Sequence, residues 1–231
     1  MRKTFKALSA LLSYPDEELR NAVPELRDVI DEEGLLPADI RRPLEALIDE
    51  IAAGDLYASQ ERYVELFDRT RSLSLHLFEH VHGESRDRGQ AMIDLKSLYE
   101  QNGLSLSAAE LPDFVPLFLE FHSTRPLPEA GRLLGQPAHI LTALAERLEK
   151  RQSNYAAVFR ALDALALIVA DTPDVELVPE GPDADPNDLA ALDAQWEEEA
   201  VTFGPDAAPS CKDRIVAQIR AGRRPPADLP I

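Results

Sequence analysis

Three of the five histidines fall within seven residues, His76, His80 and His82, and Glu79 stands among them. His76-Leu-Phe-Glu79-His80 spells H-x-x-E-H. On a helix that spacing would set two imidazoles one turn apart and leave a carboxylate able to activate a metal-bound water. A zinc-dependent hydrolase built this way needs a third ligand, such as Glu149, and enzymes that use the motif are built on much larger α/β chains. The same stretch reads equally as a core helix, anchored by Leu73, Leu77, Phe78 and Val81, whose polar edge carries the histidines. Five characters drawn from common residues carry little specificity, so neither a metal nor a catalytic residue is assigned.

Other chemistries leave less trace. G-x-S-x-G, G-x-G-x-x-G and G-x-x-x-x-G-K-[ST] are missing from the sequence, so no nucleophile elbow or phosphate cradle is expected. The stretch 83–89, GESRDRG, is too charged and wrongly spaced to hold a pyrophosphate. Two arginine pairs, Arg69/Arg71 and Arg86/Arg88, flank the histidines. The lone Cys211 permits neither an internal disulfide nor a cysteine-based metal site within one chain.

The elements that position these residues read as helices throughout. Phe5, Leu8, Leu11 and Leu12 share a face, and the run 14–17, YPDE, looks like a break and a fresh helix start. Leu19, Val23, Leu26 and Ile30 continue at helical spacing to Gly34. Residues 38–53 carry Ile40, Leu44, Leu47, Ile48 and Ile51, with Gly54 as the expected C-terminal cap. Tyr63, Leu66, Phe67 and Thr70 predict one helical stripe, and Leu73, Leu77 and Val81 a second that ends at Gly83. Met92, Leu95, Leu98 and Tyr99 line the next helix, up to Gly103. Ser107 and Glu110 have capping-box spacing; Pro112 and Pro116 predict a hinge or short turn before residues 115–121. A helix over 137–151 follows, and Ser153 is expected to cap a last one bearing Tyr155, Phe159, Leu162, Leu165 and Val169. Strand alternation, hairpin dipeptides and internal repeats are not recognised, so the expected class is all-α: a multi-helix, bundle-like domain over residues 1–170.

Beyond residue 170 the composition changes. Residues 171–209 hold twelve acids and no Lys or Arg, out of a net charge of −18 for the chain. With six prolines interrupting it, this segment cannot repay its ordering entropy by burial, so residues 171–231 are expected to be a largely disordered acidic tail. One helix, at 187–200, is allowed by Leu189, Leu192 and Trp196. Such a charge disfavours nucleic acid as a partner and favours a cationic peptide. No run of about 18 uncharged apolar residues suggests a membrane span, and the N-terminal segment reaches acids before any small-residue cleavage pattern, which reads as cytoplasmic.

Three runs together resemble a known family: 63–69 (YVELFDR), 72–83 (SLSLHLFEHVHG) and 85–92 (SRDRGQAM). They are similar to the signature block of the respiratory nitrate reductase assembly chaperones, the NarJ type or delta subunit, within a wider group of helical molybdoenzyme chaperones. The likeness continues through 110–116 (ELPDFVP) and 196–203 (WEEEAVTF), nearly the whole chain. The resemblance implies a cytoplasmic, non-catalytic protein that binds the N-terminal segment of the reductase catalytic subunit. It further implies that the subunit is kept from the membrane until molybdenum cofactor is inserted, with cofactor-delivery proteins as further partners. No cofactor of the chain's own is implied. The wider group often shows E-P-x-D-H between its helical halves. Here Glu110 and Asp113 match, while Leu111 replaces the proline and Phe114 the histidine.

A helical leader with apolar anchors and cations fits a groove lined by aromatic and leucine side chains and rimmed by carboxylates. Tyr63, Phe67, Leu73, Leu77 and Phe78 are the candidate lining; Glu65, Asp68, Glu79, Glu110 and Asp113 are the candidate rim, with His80 beside them. Each apolar residue reads equally as core. Arg69, Arg86 and Arg88 are the signature arginines, placed to brace helix ends or to meet a negatively charged part of client or cofactor.

Overall fold

A computed structural model describes residues 3–81, 85–107 and 110–167, with only the backbone given at 85–87. His82, Gly83 and everything from residue 168 onward, including Val169, the expected tail, its helix at 187–200, Trp196 and Cys211, lie outside the described residues. The described part is all-α. Nine α-helices run in the order α1 (Lys3–Leu11), α2 (Glu17–Glu33), α3 (Ala38–Ala53), α4 (Leu56–Tyr63), α5 (Ser85–Gln101), α6 (Val115–Ser123), α7 (Leu127–Gly135), α8 (Ala138–Lys150) and α9 (Ala156–Ala166). Among the described residues there is no strand.

The hydrophobic periodicity explains how these helices assemble. Phe5, Leu8 and Leu11 of α1, with Leu12 just beyond it, are fully buried, and α1 lies against α2 and α6. Leu44, Leu47, Ile48 and Ile51 turn α3 inward, towards α9. The tight connection after α8, closed by the Ser153 amide donating to the Leu148 carbonyl at 3.0 Å, folds α9 back on α8 as an antiparallel pair. The fresh start expected at 14–17 is present, with Pro15 before the helix and Asp16 capping α2 by accepting from the Leu19 amide at 2.8 Å. Glu33 does something the sequence did not suggest: from the end of α2 it accepts the amides of Lys3 and Thr4 and the Thr4 hydroxyl, at 2.7 to 2.9 Å. It thereby satisfies the open N-terminus of α1 across 30 residues.

Two glycines stop helices for different reasons. Gly34 has φ of +57°, the left-handed conformation that favours glycine. Gly54 does not: its φ is −72°, and a Cβ there would meet the Glu50 carbonyl oxygen at 2.6 Å. Gly54 is the expected C-terminal cap of α3, its amide donating to the Glu50 carbonyl at 2.9 Å, and glycine serves a close backbone approach there rather than a left-handed φ. The Ser107 and Glu110 pair and the hinge or short turn expected before 115–121 are both present. Glu110 reaches back to the Ser107 amide and hydroxyl, at 3.2 and 2.9 Å, and α6 begins at Val115, because residues 110–114 are engaged elsewhere.

His122 on α6 is completely buried, its ring against Phe118 at 4.2 Å and Phe5 at 5.8 Å between centroids. Its Nδ1–H donates to the Phe118 carbonyl, and burial pushes its pKa down to about 4. The unfolded chain binds this proton near pH 6.5 and the folded chain refuses it, so the stability of the neutral form is complete above 6.5. It is lost as pH falls toward 4. Between pH 6.5 and 4.5 the wild type should lose about 2 kcal/mol through this group, and a folded His122→Phe variant should not. Urea midpoints at the two pH values measure both.

Candidate functional site

The signature block is not a pair of helices. After Tyr63 the chain widens into one π-helical turn, Val64–Asp68, in which the Arg69 amide reaches the Val64 carbonyl at 3.0 Å. A short 3-10 turn follows at Arg71–Leu73, then extended residues, then a second 3-10 turn at Leu77–His80. The helix expected over 73–81 is thus replaced by turns and extended chain, and the physical reason is in the sequence. Ser72-Leu-Ser-Leu-His-Leu alternates, and Leu73, Leu75 and Leu77 are all buried, which is the period of extended backbone rather than of a helix.

The extended residues pair with 113–115. His76 forms an isolated antiparallel bridge with Phe114; the Leu77 amide donates to the Asp113 carbonyl at 3.1 Å and the Val115 amide to the Leu75 carbonyl at 2.8 Å. The Asp113 side chain, with no exposed surface, accepts from the Phe78 amide at 3.2 Å through Oδ2. Through Oδ1 it faces His76 Nδ1, also at 3.2 Å. His76 is part-exposed and its ring lies 5.3 Å from that of Phe114, the residue that stands where the wider group often has histidine. The hydrogen bond to Asp113 raises the His76 pKa, against a smaller lowering by burial.

His80 points the other way. Its Nε2–H donates to the Ser74 carbonyl at 2.7 Å, leaving Nδ1 as acceptor toward Arg147 at 3.5 Å. Burial lowers its pKa, so the imidazole is neutral. Arg147, from α8, donates to the Ser72 carbonyl at 2.8 Å. The two imidazoles of the H-x-x-E-H run therefore serve different partners, and Glu149 is held by Arg160 through two hydrogen bonds of 2.7 and 2.8 Å. The zinc arrangement is not formed, and among the described residues no three His, Cys, Asp or Glu side chains converge as a metal site would require.

The expected groove lining lies in the core. Tyr63, Phe67, Leu73, Leu77 and Phe78 are each at most 5% exposed. Phe67 packs edge-on against Tyr63 and Tyr155, with centroids at 4.9 and 5.1 Å, and the Tyr63 hydroxyl donates to the Leu12 carbonyl at 2.8 Å. Burial of these phenols raises their pKa, that of Tyr155 to about 12. Of the expected rim, Glu65, Asp68 and Glu110 are exposed and Glu79 is half-buried beside Arg88, 3.4 Å away; Asp113 is interior. Arg69 is exposed, and of Arg86 only the backbone on α5 is described. Sequence reading did not name Arg147, and it did not join Tyr155, read only as part of the last helix, or Phe114, read only as the replacement for a histidine, to this block, since each meets it from a distant element. Together these residues form a clasp joining 72–80 to 110–115, with carboxylates outside and an aromatic floor beneath. They present no activated nucleophile.

Comparison with known proteins bears on what such a clasp serves. A family model described as the nitrate reductase delta subunit matches residues 14–161. The chain is 44% identical over 201 residues to the nitrate reductase molybdenum cofactor assembly chaperone NarJ of Escherichia coli strain K12, covering 86% of this chain and 84% of that one. It is 40% identical over 206 residues to the probable nitrate reductase molybdenum cofactor assembly chaperone NarW of the same strain, covering 89% and 86% of the two chains. With the probable chaperone NarJ of Bacillus subtilis strain 168 it shares 37% identity over 159 residues, 69% of this chain and 85% of that one.

Proposed function

Because the chain belongs to the nitrate reductase delta subunit family, we propose that it is an assembly chaperone for nitrate reductase, without chemistry of its own. In this reading it acts in the cytoplasm, binding the N-terminal segment of the catalytic subunit. It holds that subunit for molybdenum cofactor insertion before the enzyme docks on the membrane. The observation that carries the proposal is the 44% identity to a named chaperone over most of both chains. The geometry supports it: His76, His80 and the buried Asp113 are spent on holding the clasp together. No helix among the described residues is long and apolar enough to cross a membrane.

We place the client segment on the face made by 63–80 and 110–114. Asp68, Glu79 and Glu110 supply the outer charge there, and the buried Tyr63, Phe67, Leu73, Leu77, Phe78, His80 and Asp113 support the surface from below. Arg69, Arg86 and Arg88 lie beside it. Turns of this kind open more readily than long helices, which gives a leader peptide access to the apolar layer. Calorimetric titration with a synthetic peptide of the reductase N-terminus tests this. Saturable one-to-one binding is expected, with Asp68→Asn and Glu79→Gln each costing under about 1 kcal/mol, because Asp68 is exposed and screened and Glu79 is already shared with Arg88. Absence of binding by the folded wild type would overturn the proposed client segment.

A further inference from the structure

The cleft between α2 and α3, about 210 Å³ in volume, holds two hydrogen-bond donors that the fold does not use. Its floor is aliphatic, made by Ile30, Leu44 and Ile48. Two ion pairs cross it in opposite senses, Arg27 of α2 to Asp49 of α3 and Arg41 of α3 to Asp31 of α2. Each pair employs a terminal nitrogen of its guanidinium. The Nε–H of both arginines is buried without an acceptor, and native folds rarely leave such donors unpaired. Two of them on one cleft fit an acceptor supplied from outside the chain.

The charges around the cleft define what carries that acceptor. Arg27 and Arg41 are each matched by an aspartate, so an anion gains no net cation here, and the acceptor is a neutral carbonyl. Glu45, on the rim, is exposed and has no ion-pair partner among the described residues. Residues 16–50, which span both helices, hold twelve acids against four arginines and no lysine, and that field draws a cation. We propose that this cleft is a docking site for a cationic segment of a partner protein. Main-chain carbonyls of the segment accept from Nε of Arg27 and Arg41, an aliphatic side chain lies over Ile30, Leu44 and Ile48, and a Lys or Arg side chain reaches Glu45. The volume equals that of about seven waters, which suits one side chain with its peptide group. None of these residues belongs to the clasp, so the site does not depend on where the client segment binds.

The probe is the synthetic peptide acetyl-Leu-Arg-Leu-Lys-amide, titrated into the full-length chain isotope-labelled at its arginine nitrogens. The Nε–H resonances of Arg27 and Arg41, assigned through Arg27→Lys and Arg41→Lys, should both shift saturably. Acetyl-Leu-Glu-Leu-Glu-amide should bind at least about tenfold more weakly, and acetyl-Gly-Arg-Gly-Lys-amide about tenfold more weakly, having no aliphatic side chain to bury. Glu45→Gln should weaken the first peptide about threefold, while Glu18→Gln, an exposed acid of α2 outside the cleft, should leave its affinity unchanged. Nε–H signals that stay still up to about 10 mM peptide, equal binding of the acidic analogue, or full affinity in Glu45→Gln would each overturn the proposal. Should Glu45→Gln fail to fold, the acidic and glycine analogues on the wild type still decide.

Discussion

Phe67→Ala is expected to lower the stability of the folded chain by about 4 kcal/mol, the cost of emptying a large aromatic site in a packed core. Phe67 is 5% exposed and sits edge-on between Tyr63 and Tyr155. The ring therefore holds the π-helical turn at Val64–Asp68 against the start of α9, and alanine leaves a cavity between two phenols whose positions depend on it. Equilibrium urea unfolding reads the effect directly. A loss below about 1 kcal/mol would show that the ring is not packed as the structure places it. The consequence for function is that weakened client binding by this variant means nothing until its folding has been measured.

Asp113→Ala is expected to cost about 3 kcal/mol, since it leaves the Phe78 amide without its acceptor and removes the charge facing His76. Asp113→Asn keeps a carbonyl oxygen for that amide and should cost about 1 kcal/mol. The variants also differ from the wild type in pH dependence. The His76 pKa is raised in the folded state by Asp113, so the pair's contribution is fully present below the ordinary histidine value near 6.5. It fades as pH rises through the higher folded value. In either variant that slope above 6.5 should disappear. An unchanged slope would place the titration elsewhere.

How much of this was legible beforehand differs by element. The stripes of α1, α2, α3, α8 and α9 were readable because each repeats at helical spacing over several turns, and the interior of a helical domain follows from such faces. The clasp was not, because Leu73, Leu77 and Val81 satisfy helical spacing while Leu73, Leu75 and Leu77 satisfy extended spacing, and the residue types alone do not choose between the two periods. Its partners were beyond sequence reading for a different reason. Asp113 meets His76 across 37 residues and Arg147 meets Ser72 across 75, and no local pattern encodes contacts of that range. Asp113 was singled out as a rim acid from the family resemblance; the structure makes it interior. Phe67 and Leu77 were candidate lining, and their burial shows why an apolar position in a signature block cannot be assigned to surface or core from its type alone.

The proposed role rests on cofactor insertion, and the molybdenum content of the host's nitrate reductase catalytic subunit measures that most directly. Purified from cells lacking this chain, the subunit should carry molybdenum far below one per polypeptide. Supplying the chain in trans should restore it, and the folded variants Asp68→Asn and Glu79→Gln should restore it nearly as well. Full molybdenum occupancy in the absence of the chain would contradict the account.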